Sequence, residues 1–303
     1  MKHLLSINDL NRETIQQLLD RAQVLLEQVV QQNTQLNTLS GQVITHLFFE
    51  PSTRTQYSFT IAAQRLGAFV LNPPINLTSM TKGESLLDMV RTFIAMGTQL
   101  FVVRHREEKT AQWLADSIQQ HAIVINGGDG CHQHPTQALL DLLTIAQYKK
   151  QFEALNVAIV GDIVHSRVAR SLISGLHIMG CQDIRLIAPP ELLDAKMTDK
   201  TAQVEHSIEK GLVDADVVVC LRIQRERMAD TDAPEPDQFF KQYGLTPERL
   251  ALAKPTAIVL HPGPINQGVE IDPAVVDSPQ SMILQQVTNG VAMRMAVIEW
   301  LCA

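Results

Sequence analysis

The stretch Phe49-Glu50-Pro51-Ser52-Thr53-Arg54-Thr55 lies where a predicted strand gives way to a predicted helix. Apolar residues precede it over 43–48, and Phe59, Ala63 and Leu66 follow it at helical spacing. Backbone N–H groups at a helix N-terminus have no intrahelical partners, and the helix dipole is positive there. Three hydroxyl groups and a guanidinium at such a position can therefore hold a phosphate. A helix N-cap beside an ordinary surface arginine explains the same stretch equally well, so the rest of the chain has to decide.

Strands and helices alternate along the rest of the chain. Apolar runs predict further strands at 69–71, 100–103, 122–125, 157–160, 184–187, 217–220 and 257–260. Helical spacing predicts helices at 11–31, 83–96, 109–121, 135–148 and 287–301. This alternation is typical of βαβ units on parallel sheets, and a chain of 303 residues is long enough for two domains. We therefore predict an α/β protein with two domains, each a parallel β-sheet flanked by helices, and a domain change near the helix at 135–148.

Composition and charge exclude several classes of protein. With 45% hydrophobic and 19% charged residues, the chain can bury substantial cores and is not disordered. The net charge of −7 and the pI near 5.8 argue against binding to nucleic acid or to an anionic membrane. A small anionic substrate stays possible, because arginines gathered in one cleft set the local potential there.

The cysteines and the apolar runs suggest where the protein works. Cys131, Cys181, Cys220 and Cys302 are scattered without a CxxC pair, which suits a reducing cytosol and gives no disulfide framework. The first residues lack the long apolar region of a signal peptide, and no apolar run is long enough to span a bilayer. We therefore expect a cytoplasmic protein without a membrane partner.

Polar residues recur at the ends of the predicted strands. These residues are Arg54, Arg104, His134, Arg167, Arg222 and, in a rigid turn, Pro264. In open α/β sheets ligands bind beyond the carboxyl ends of the strands, so residues from both halves predict an active site in the interdomain cleft. Arginines are common on the surface of any α/β protein. Chance would explain one or two of these positions, but not polar or turn residues at the ends of six strands.

Two other kinds of site are weaker explanations. Cys131, His132 and His134 crowd into one loop, but no fourth ligand has the spacing of a metal site, so we predict no metal. Gly161 follows a strand and precedes a helix, as in nicotinamide dehydrogenases, but residues 161–166 do not match G-x-G-x-x-G.

Five motifs follow one another along the chain, each at the end of a predicted strand or the start of a predicted helix. They are Ser52-Thr53-Arg54-Thr55, His134-Pro135-Thr136-Gln137, Gly161-Asp162-Ile163-Val164-His165-Ser166-Arg167, Leu221-Arg222-Ile223-Gln224 and His261-Pro262-Gly263-Pro264. Any one of them is weak evidence, whereas the five in this order are specific. By these motifs the chain resembles the aspartate/ornithine carbamoyltransferase family, and within it the aspartate branch.

The resemblance implies a reaction and the residues that carry it. The reaction is transfer of the carbamoyl group from carbamoyl phosphate to the α-amine of L-aspartate, a step of pyrimidine biosynthesis that needs no cofactor. By the family pattern, carbamoyl phosphate is bound by Ser52, Thr53, Arg54, Thr55, Arg104, His134, Gln137, Gly263 and Pro264. Within this set Arg54, Thr55 and His134 are the expected catalytic residues, because they would stabilise the developing oxyanion.

The same resemblance assigns the aspartate site and a shared subunit arrangement. Lys82, Arg167, Arg222 and Gln224 match the residues that bind aspartate, and Ser79 or Thr78 supplies a loop hydroxyl, with Ser79 preferred. In the family the matching lysine reaches into a neighbouring subunit, which implies a homotrimer with shared active sites. Relatives also assemble with regulatory chains or with dihydroorotase-like chains, so such a partner is possible.

The resemblance also refines the domain boundaries and leaves alternatives open. It implies that the last helix returns to the first domain, so that residues 1–134 plus 286–303 bind carbamoyl phosphate and residues 135–285 bind aspartate. Ornithine or another amine is the nearest alternative acceptor; against it, the turn at 261–264 lacks the cysteine typical of the ornithine branch. A catalytically silent subunit is the alternative of a different class, although every expected site residue is present.

Overall fold

A computed structural model describes residues 2–193, 202–228 and 234–303 of the chain. Its strands are β1 Val43–Phe48, β2 Phe69–Leu71, β3 Thr98–His105, β4 Ile123–Asp129, β5 Asn156–Gly161, β6 Asp183–Ile187, β7 Gln203–Glu205, β8 Val217–Leu221 and β9 Ile258–Leu260. Its α-helices are α1 Arg12–Leu25, α2 Thr53–Arg65, α3 Leu86–Ala95, α4 Thr110–Ile118, α5 Pro135–Tyr148, α6 Arg167–Ile178, α7 Ile208–Leu212, α8 Pro236–Tyr243, α9 Pro247–Leu250, α10 Pro273–Val276 and α11 Ile283–Cys302.

Packing divides the chain into two units. The first unit comprises Met1–Leu143 and Val287–Ala303, and the second comprises Thr144–Gln286. Both division points lie inside helices, α5 and α11. The sequence-based boundary at 134/135 lies instead at the start of α5, and the assignment of substrates to the two domains stays a prediction.

The first unit contains a parallel sheet in the order β2-β1-β3-β4. The inner strands are buried on both faces and largely apolar because helices cover the sheet; Ile44, Leu47 and Phe101 are fully buried. Helix α4 places Leu114 and Ile118 in the same core. Each such side chain stabilises the fold by about 1.5–3 kcal/mol relative to an exposed one.

The second unit contains a parallel sheet in the order β7-β6-β5-β8-β9. Its central strands β5 and β8 are almost continuously apolar and buried, as parallel strands covered on both faces are. The predicted α/β class, with a parallel sheet flanked by helices in each half, is confirmed.

The strand orders indicate where each unit should bind a ligand. In a parallel sheet the connections from two neighbouring strands diverge at the point where the strand order reverses, and a crevice opens there beyond the carboxyl ends. In the first unit this point lies between β1 and β3, and in the second between β5 and β8. Arg54 and Arg167 lie in the first turns of the helices that follow β1 and β5. Arg104 lies near the end of β3, and Arg222 directly follows β8.

Several element boundaries differ from those predicted. The helix predicted over 11–31 is α-helical only to Leu25, and Leu26–Val30 form a π-helical turn. The helix predicted over 83–96 begins at Leu86, after Ser85 caps it by accepting from the Asp88 N–H. The short strand β7 was not predicted. No helix in the described ranges has the length and apolarity needed to cross a bilayer.

Candidate active site

The N-terminus of α2 holds the first predicted motif. Ser52 is the N-cap, with extended backbone (φ −160°, ψ 95°). Within the described chain the Ser52 hydroxyl makes no capping hydrogen bond, so helix capping does not explain the presence of this hydroxyl. Thr53 and Arg54 are exposed in the first turn, and partial desolvation lowers the pKa of Arg54 without removing its charge at neutral pH. This helix end therefore presents hydroxyls, a guanidinium and a positive dipole together.

His134 reaches the same helix end from the loop after β4. Its Nε2 lies 3.4 Å from the Thr55 hydroxyl oxygen, and both residues are buried. Thr55 lies in the helix that follows β1 and His134 lies in the loop that follows β4, so the parallel sheet brings the two side chains together. The structure thus unites Thr55 and His134, two of the three predicted catalytic residues.

A buried aspartate holds the loop that carries His134. Asp129 Oδ1 accepts from the Asn126 amide (2.8 Å) and from the Gln133 N–H (3.0 Å). Asp129 Oδ2 accepts from the Lys109 N–H (2.6 Å) and lies 3.1 Å from His132 Nδ1. His132 is therefore engaged by this carboxylate, and the loop enters α5 in a fixed conformation.

Arg104 ends β3 beside the first motif. The Phe49 N–H donates to the Arg104 carbonyl (2.9 Å), which ties the chain leaving β1 to the end of β3. The Arg104 guanidinium donates from Nη1 to the Gly127 carbonyl (3.1 Å), and its Nε lies 3.5 Å from a Glu50 carboxylate oxygen. These contacts orient the guanidinium at the switch point of the sheet.

The loop at 78–82 carries the lysine and the ambiguous hydroxyl. The Thr78 hydroxyl donates to the Ile75 carbonyl (2.8 Å), whereas Ser79 is exposed at the start of a 3₁₀ turn. Lys82 is exposed at the end of that turn, before Gly83 in the left-handed conformation (φ 95°). Among the described residues, neither the Ser79 nor the Lys82 side chain makes a hydrogen bond or ion pair with the α2 terminus, and both lie in an exposed segment.

The end of β5 approaches the end of β8 so closely that only glycine fits. A Cβ on Gly161 would lie 2.3 Å from the Leu221 carbonyl oxygen, and its φ is +125°. This close approach lies at the switch point of the second unit, between β5 and β8. Beyond it Ser166 caps α6 by accepting from the Ala169 N–H (3.1 Å), which leaves Arg167 buried in the first turn.

Asp162 organises the loops at this switch point. This fully buried carboxylate accepts from the Gln224 N–H (3.0 Å) through Oδ2 and lies 2.9 Å from His165 Nδ1 through Oδ1. The Gln224 amide in turn donates to the His165 carbonyl (3.0 Å). The loops after β5 and β8 are thereby joined, and Gln224 has a fixed place beside α6.

Arg222 forms a two-pronged ion pair with Glu226, four residues later in the chain. Nη1 donates to Oε2 (3.0 Å) and Nη2 contacts Oε1. The side-chain hydrogen bond to Glu226 raises the pKa of Arg222, and the Arg222 side chain is 23% exposed. Since only one N–H of each terminal nitrogen is used by this pair, the edge formed by Nε and Nη2 can still bind a carboxylate.

The turn after β9 contains the last motif. The His261 ring accepts from the Gly263 N–H at Nδ1 (2.8 Å), so Nε2 carries the proton and donates to Glu270 (3.1 Å). The same Glu270 oxygen accepts from the Asn266 N–H (2.6 Å). A cis peptide bond joins Gly263 to Pro264. The buried His261–Glu270 pair therefore fixes the backbone of this turn.

Two family models match the chain, one in each half. Residues 2–147 match the carbamoyl-phosphate-binding domain of aspartate/ornithine carbamoyltransferases, and residues 153–301 match their aspartate/ornithine-binding domain. The chain belongs to the aspartate/ornithine carbamoyltransferase family.

Relatives within this family cover nearly the whole chain. It is 49% identical over 297 residues to the aspartate carbamoyltransferase catalytic subunit of Coxiella burnetii (strain Dugway 5J108-111), which covers 98% of this chain and 95% of that protein. The catalytic subunit of strain RSA 493 / Nine Mile phase I matches to the same extent.

Solved structures of Trypanosoma cruzi aspartate transcarbamoylase have the same fold. The complex with carbamoyl aspartate and phosphate superposes with a TM-score of 0.88 at 29% identity, covering 98% of this chain and 94% of that one. The complex with carbamoyl phosphate and aspartate gives 0.88 at 28% identity, with 98% and 96% covered. The complex with N-(phosphonacetyl)-L-aspartic acid gives 0.85 at 30% identity, with 98% and 95% covered.

Four carboxylates of this carbamoyltransferase were missed by sequence reasoning: Asp129, Asp162, Glu226 and Glu270. Asp129 and Asp162 each lie at or directly after the end of a strand, next to a glycine, which is a signal that could have found them. Glu226 and Glu270 lie in irregular segments, where an acid is usually solvated, and only the fold shows their partners. No cluster of three His, Cys, Asp or Glu side chains suited to a metal occurs in the described ranges.

Proposed function

We propose that this chain transfers the carbamoyl group of carbamoyl phosphate to the α-amine of L-aspartate, giving N-carbamoyl-L-aspartate and phosphate. The observation that carries the proposal is the contact of His134 with Thr55 at the N-terminus of α2, where Arg54 is also displayed. The C. burnetii relatives are named aspartate carbamoyltransferase catalytic subunits. The T. cruzi relative has been solved in complex with carbamoyl phosphate and aspartate.

The first unit holds the groups for carbamoyl phosphate. Ser52, Thr53 and the α2 backbone N–H groups bind the phosphate, and Arg54 and Arg104 neutralise its charge. His134, Thr55 and Arg54 stabilise the oxyanion that forms on the carbamoyl oxygen when the amine attacks. When the bond between the carbamoyl carbon and the phosphate oxygen breaks, the phosphate stays bound to the helix terminus and the arginines. These groups therefore assist both the attack of the amine and the departure of the phosphate from the carbamoyl carbon.

The second unit holds the groups for the acceptor. Arg167 and Arg222 each provide a guanidinium for one of the two carboxylates of aspartate, and Gln224 adds an amide donor. Ornithine carries an ammonium group where aspartate carries its second carboxylate, so the arginines would repel it. This pair of charges is the reason for choosing aspartate as the acceptor.

The Gly263–Pro264 turn and the 78–82 loop complete the proposed site. The carbonyls of Gly263 and Pro264 accept from the carbamoyl NH₂, and the His261–Glu270 pair keeps them in place. The exposed Ser79 and Lys82 serve a neighbouring subunit of a homotrimer, since each lies at an exposed turn. A cytosolic location and a regulatory or dihydroorotase-like partner chain belong to the same proposal.

Binding of a bisubstrate analogue tests whether the two sets of groups act on one ligand. N-(phosphonacetyl)-L-aspartate carries the phosphonate and both aspartate carboxylates, so we expect one molecule to bind per chain in calorimetry. Arg54→Ala and Arg222→Ala should each weaken binding at least tenfold, because each removes a charge-assisted hydrogen bond. The exposed Arg12→Ala is the control and should bind as the unmodified chain does. Unchanged affinity in Arg222→Ala would contradict the proposal.

A further inference from the structure

Gln137, the proposed partner of the carbamoyl NH₂, is already engaged by an aspartate. Its Nε2 donates to Asp141 Oδ1 (3.0 Å), one turn later on α5. Asp141 is fully buried and Gln137 is 8% exposed. The i, i+4 spacing places both side chains on one face of the helix, so the contact follows directly from the sequence pattern.

This contact decides which way the Gln137 amide faces. An ionised carboxylate accepts hydrogen bonds and donates none, so the atom next to Asp141 has to be the amide nitrogen. The amide oxygen Oε1 then stays available as an acceptor. If Asp141 were neutral or an amide, either end of the Gln137 side chain could face the substrate.

Arg294 of α11 is a buried arginine whose charge interacts with Asp141. Its guanidinium is buried, lies 5.0 Å over the Phe59 ring and donates to the Gly290 carbonyl (2.9 Å). Burial lowers the pKa of Arg294 to about 10, and the charge of Asp141 acts in the opposite direction. The attraction is mutual, so Arg294 favours the ionised form of Asp141.

The fold makes room for this arginine at one position. A Cβ on Gly290 would lie 2.6 Å from Arg294 Nη1 and 3.2 Å from a Leu140 methyl group. A side chain at Gly290 would therefore displace the guanidinium. Helix α11 thus supplies both the Arg294 charge that acts on Asp141 and, at Gly290, the space that the guanidinium occupies.

We propose that Asp141, with Arg294 behind it, is a positioning residue that turns Gln137 Oε1 towards the carbamoyl NH₂ and so lets the site prefer carbamoyl phosphate to other acyl phosphates. The inference rests on the proposed function. Acetyl phosphate is the informative comparison, because a methyl group replaces the NH₂ and cannot donate to Oε1. A correctly turned Gln137 should favour only the carbamoyl ligand.

The test measures binding of carbamoyl phosphate and acetyl phosphate to the unmodified chain and to Asp141→Asn. We expect Asp141→Asn to reduce the preference for carbamoyl phosphate about twofold, because only about half of the Gln137 side chains then present Oε1, while acetyl phosphate binds as before. A merely structural role would weaken both ligands equally, and that result, like an unchanged preference, would overturn the inference. Failure of the unmodified chain to bind carbamoyl phosphate would instead overturn the proposed function.

Two further variants make the test decisive. Asp116→Asn is the matched control, since Gln112 donates to Asp116 (2.9 Å) with the same i, i+4 spacing on the exposed face of α4, and its preference should not change. Asp141→Asn alone leaves a buried guanidinium without its counter-charge and can fail to fold. The double variant Asp141→Asn/Arg294→Met removes both charges and should show the same loss of preference as Asp141→Asn; a retained preference would overturn the inference.

Discussion

His134 Nε2 and the Thr55 hydroxyl oxygen lie 3.4 Å apart although 79 residues separate them in the chain. The contact exists because two parallel strands end at the same edge of the first sheet, one leading into α2 and the other into the His134 loop. A carbonyl oxygen beside these two groups would meet an imidazole, a hydroxyl and the positive end of a helix together. That arrangement is suited to an oxyanion and explains why both residues are buried.

Arg54→Ala should lower kcat on the order of a thousandfold. The guanidinium stabilises charge that grows in the transition state, and its loss is not compensated by water. Because Arg54 is exposed, the melting temperature should stay unchanged. Steady-state kinetics of the Arg54→Ala and Arg12→Ala variants, measured side by side, check this prediction. A normal kcat in Arg54→Ala would show that Arg54 has no part in the mechanism.

Glu226→Ala should raise the KM for aspartate about tenfold and leave carbamoyl phosphate binding unchanged. The Arg222–Glu226 pair orients the guanidinium, and a freed arginine side chain has to be ordered again by the substrate. Glu209→Ala is a matched control: its carboxylate is 54% exposed against 55% for Glu226, and it also pairs with an arginine, Arg249. A lower KM for aspartate in Glu226→Ala would show that Glu226 competes with the substrate.

The buried His46 should make stability depend on pH. It lies in β1 with Phe48 and Phe59 edge-on to its ring and Nδ1 2.8 Å from Asn72 Oδ1, and burial lowers the pKa of His46 to about 4. In the unfolded chain the pKa is about 6.5, so the unfolded state takes up the proton first as the pH falls. The contribution of His46 to the free energy of unfolding should be constant well above pH 6.5 and drop by about 3 kcal/mol towards pH 4.

Urea unfolding of the unmodified chain and of His46→Gln between pH 4 and 8 isolates this contribution. Burial also lowers the pKa of His3 and of His105, but both residues remain in the variant and their effects cancel in the difference. The variant should lose less free energy on acidification. Parallel curves for the two proteins would show that His46 does not titrate in this way.

Lys82 should act in a neighbouring subunit. Lys82→Ala and His134→Ala should each be inactive alone, and mixing them under conditions that exchange subunits should restore part of the activity. A hybrid trimer pairs an intact Lys82 with an intact His134 at some of its sites. No recovery in hybrids whose assembly is verified by mass would place Lys82 at its own subunit's site or outside any site.

The elements that sequence predicts well here are those with continuous apolar runs. Strands such as β5 and β8 are buried on both faces, so their pattern is unmistakable, and residues at their ends follow from the geometry of a parallel sheet. The short edge strand β7, Gln203-Val204-Glu205, has one apolar residue and could not be distinguished from a loop. Pairing with β6 defines it, and that information is tertiary.

The charge that acts on the buried Asp141 was beyond sequence reasoning for a similar reason. Asp141 lies on the apolar side of α5, and its burial is favoured by the Gln137 hydrogen bond and by the charge of Arg294, over 150 residues later. The end of α1 at Leu25 was also not predictable from the sequence. After it, the Gln31 N–H donates to the Leu26 carbonyl, five residues back. Helical spacing of apolar residues does not distinguish this hydrogen bond from the usual one to the residue four back.

The most direct test of the proposed function is phosphate release from carbamoyl phosphate by the purified chain, with aspartate and with ornithine in parallel. We predict release with aspartate alone, accompanied by an equal amount of N-carbamoyl-aspartate. Release with ornithine in its place would contradict the roles given to Arg167 and Arg222, and no release with either amine would contradict catalysis by the chain on its own.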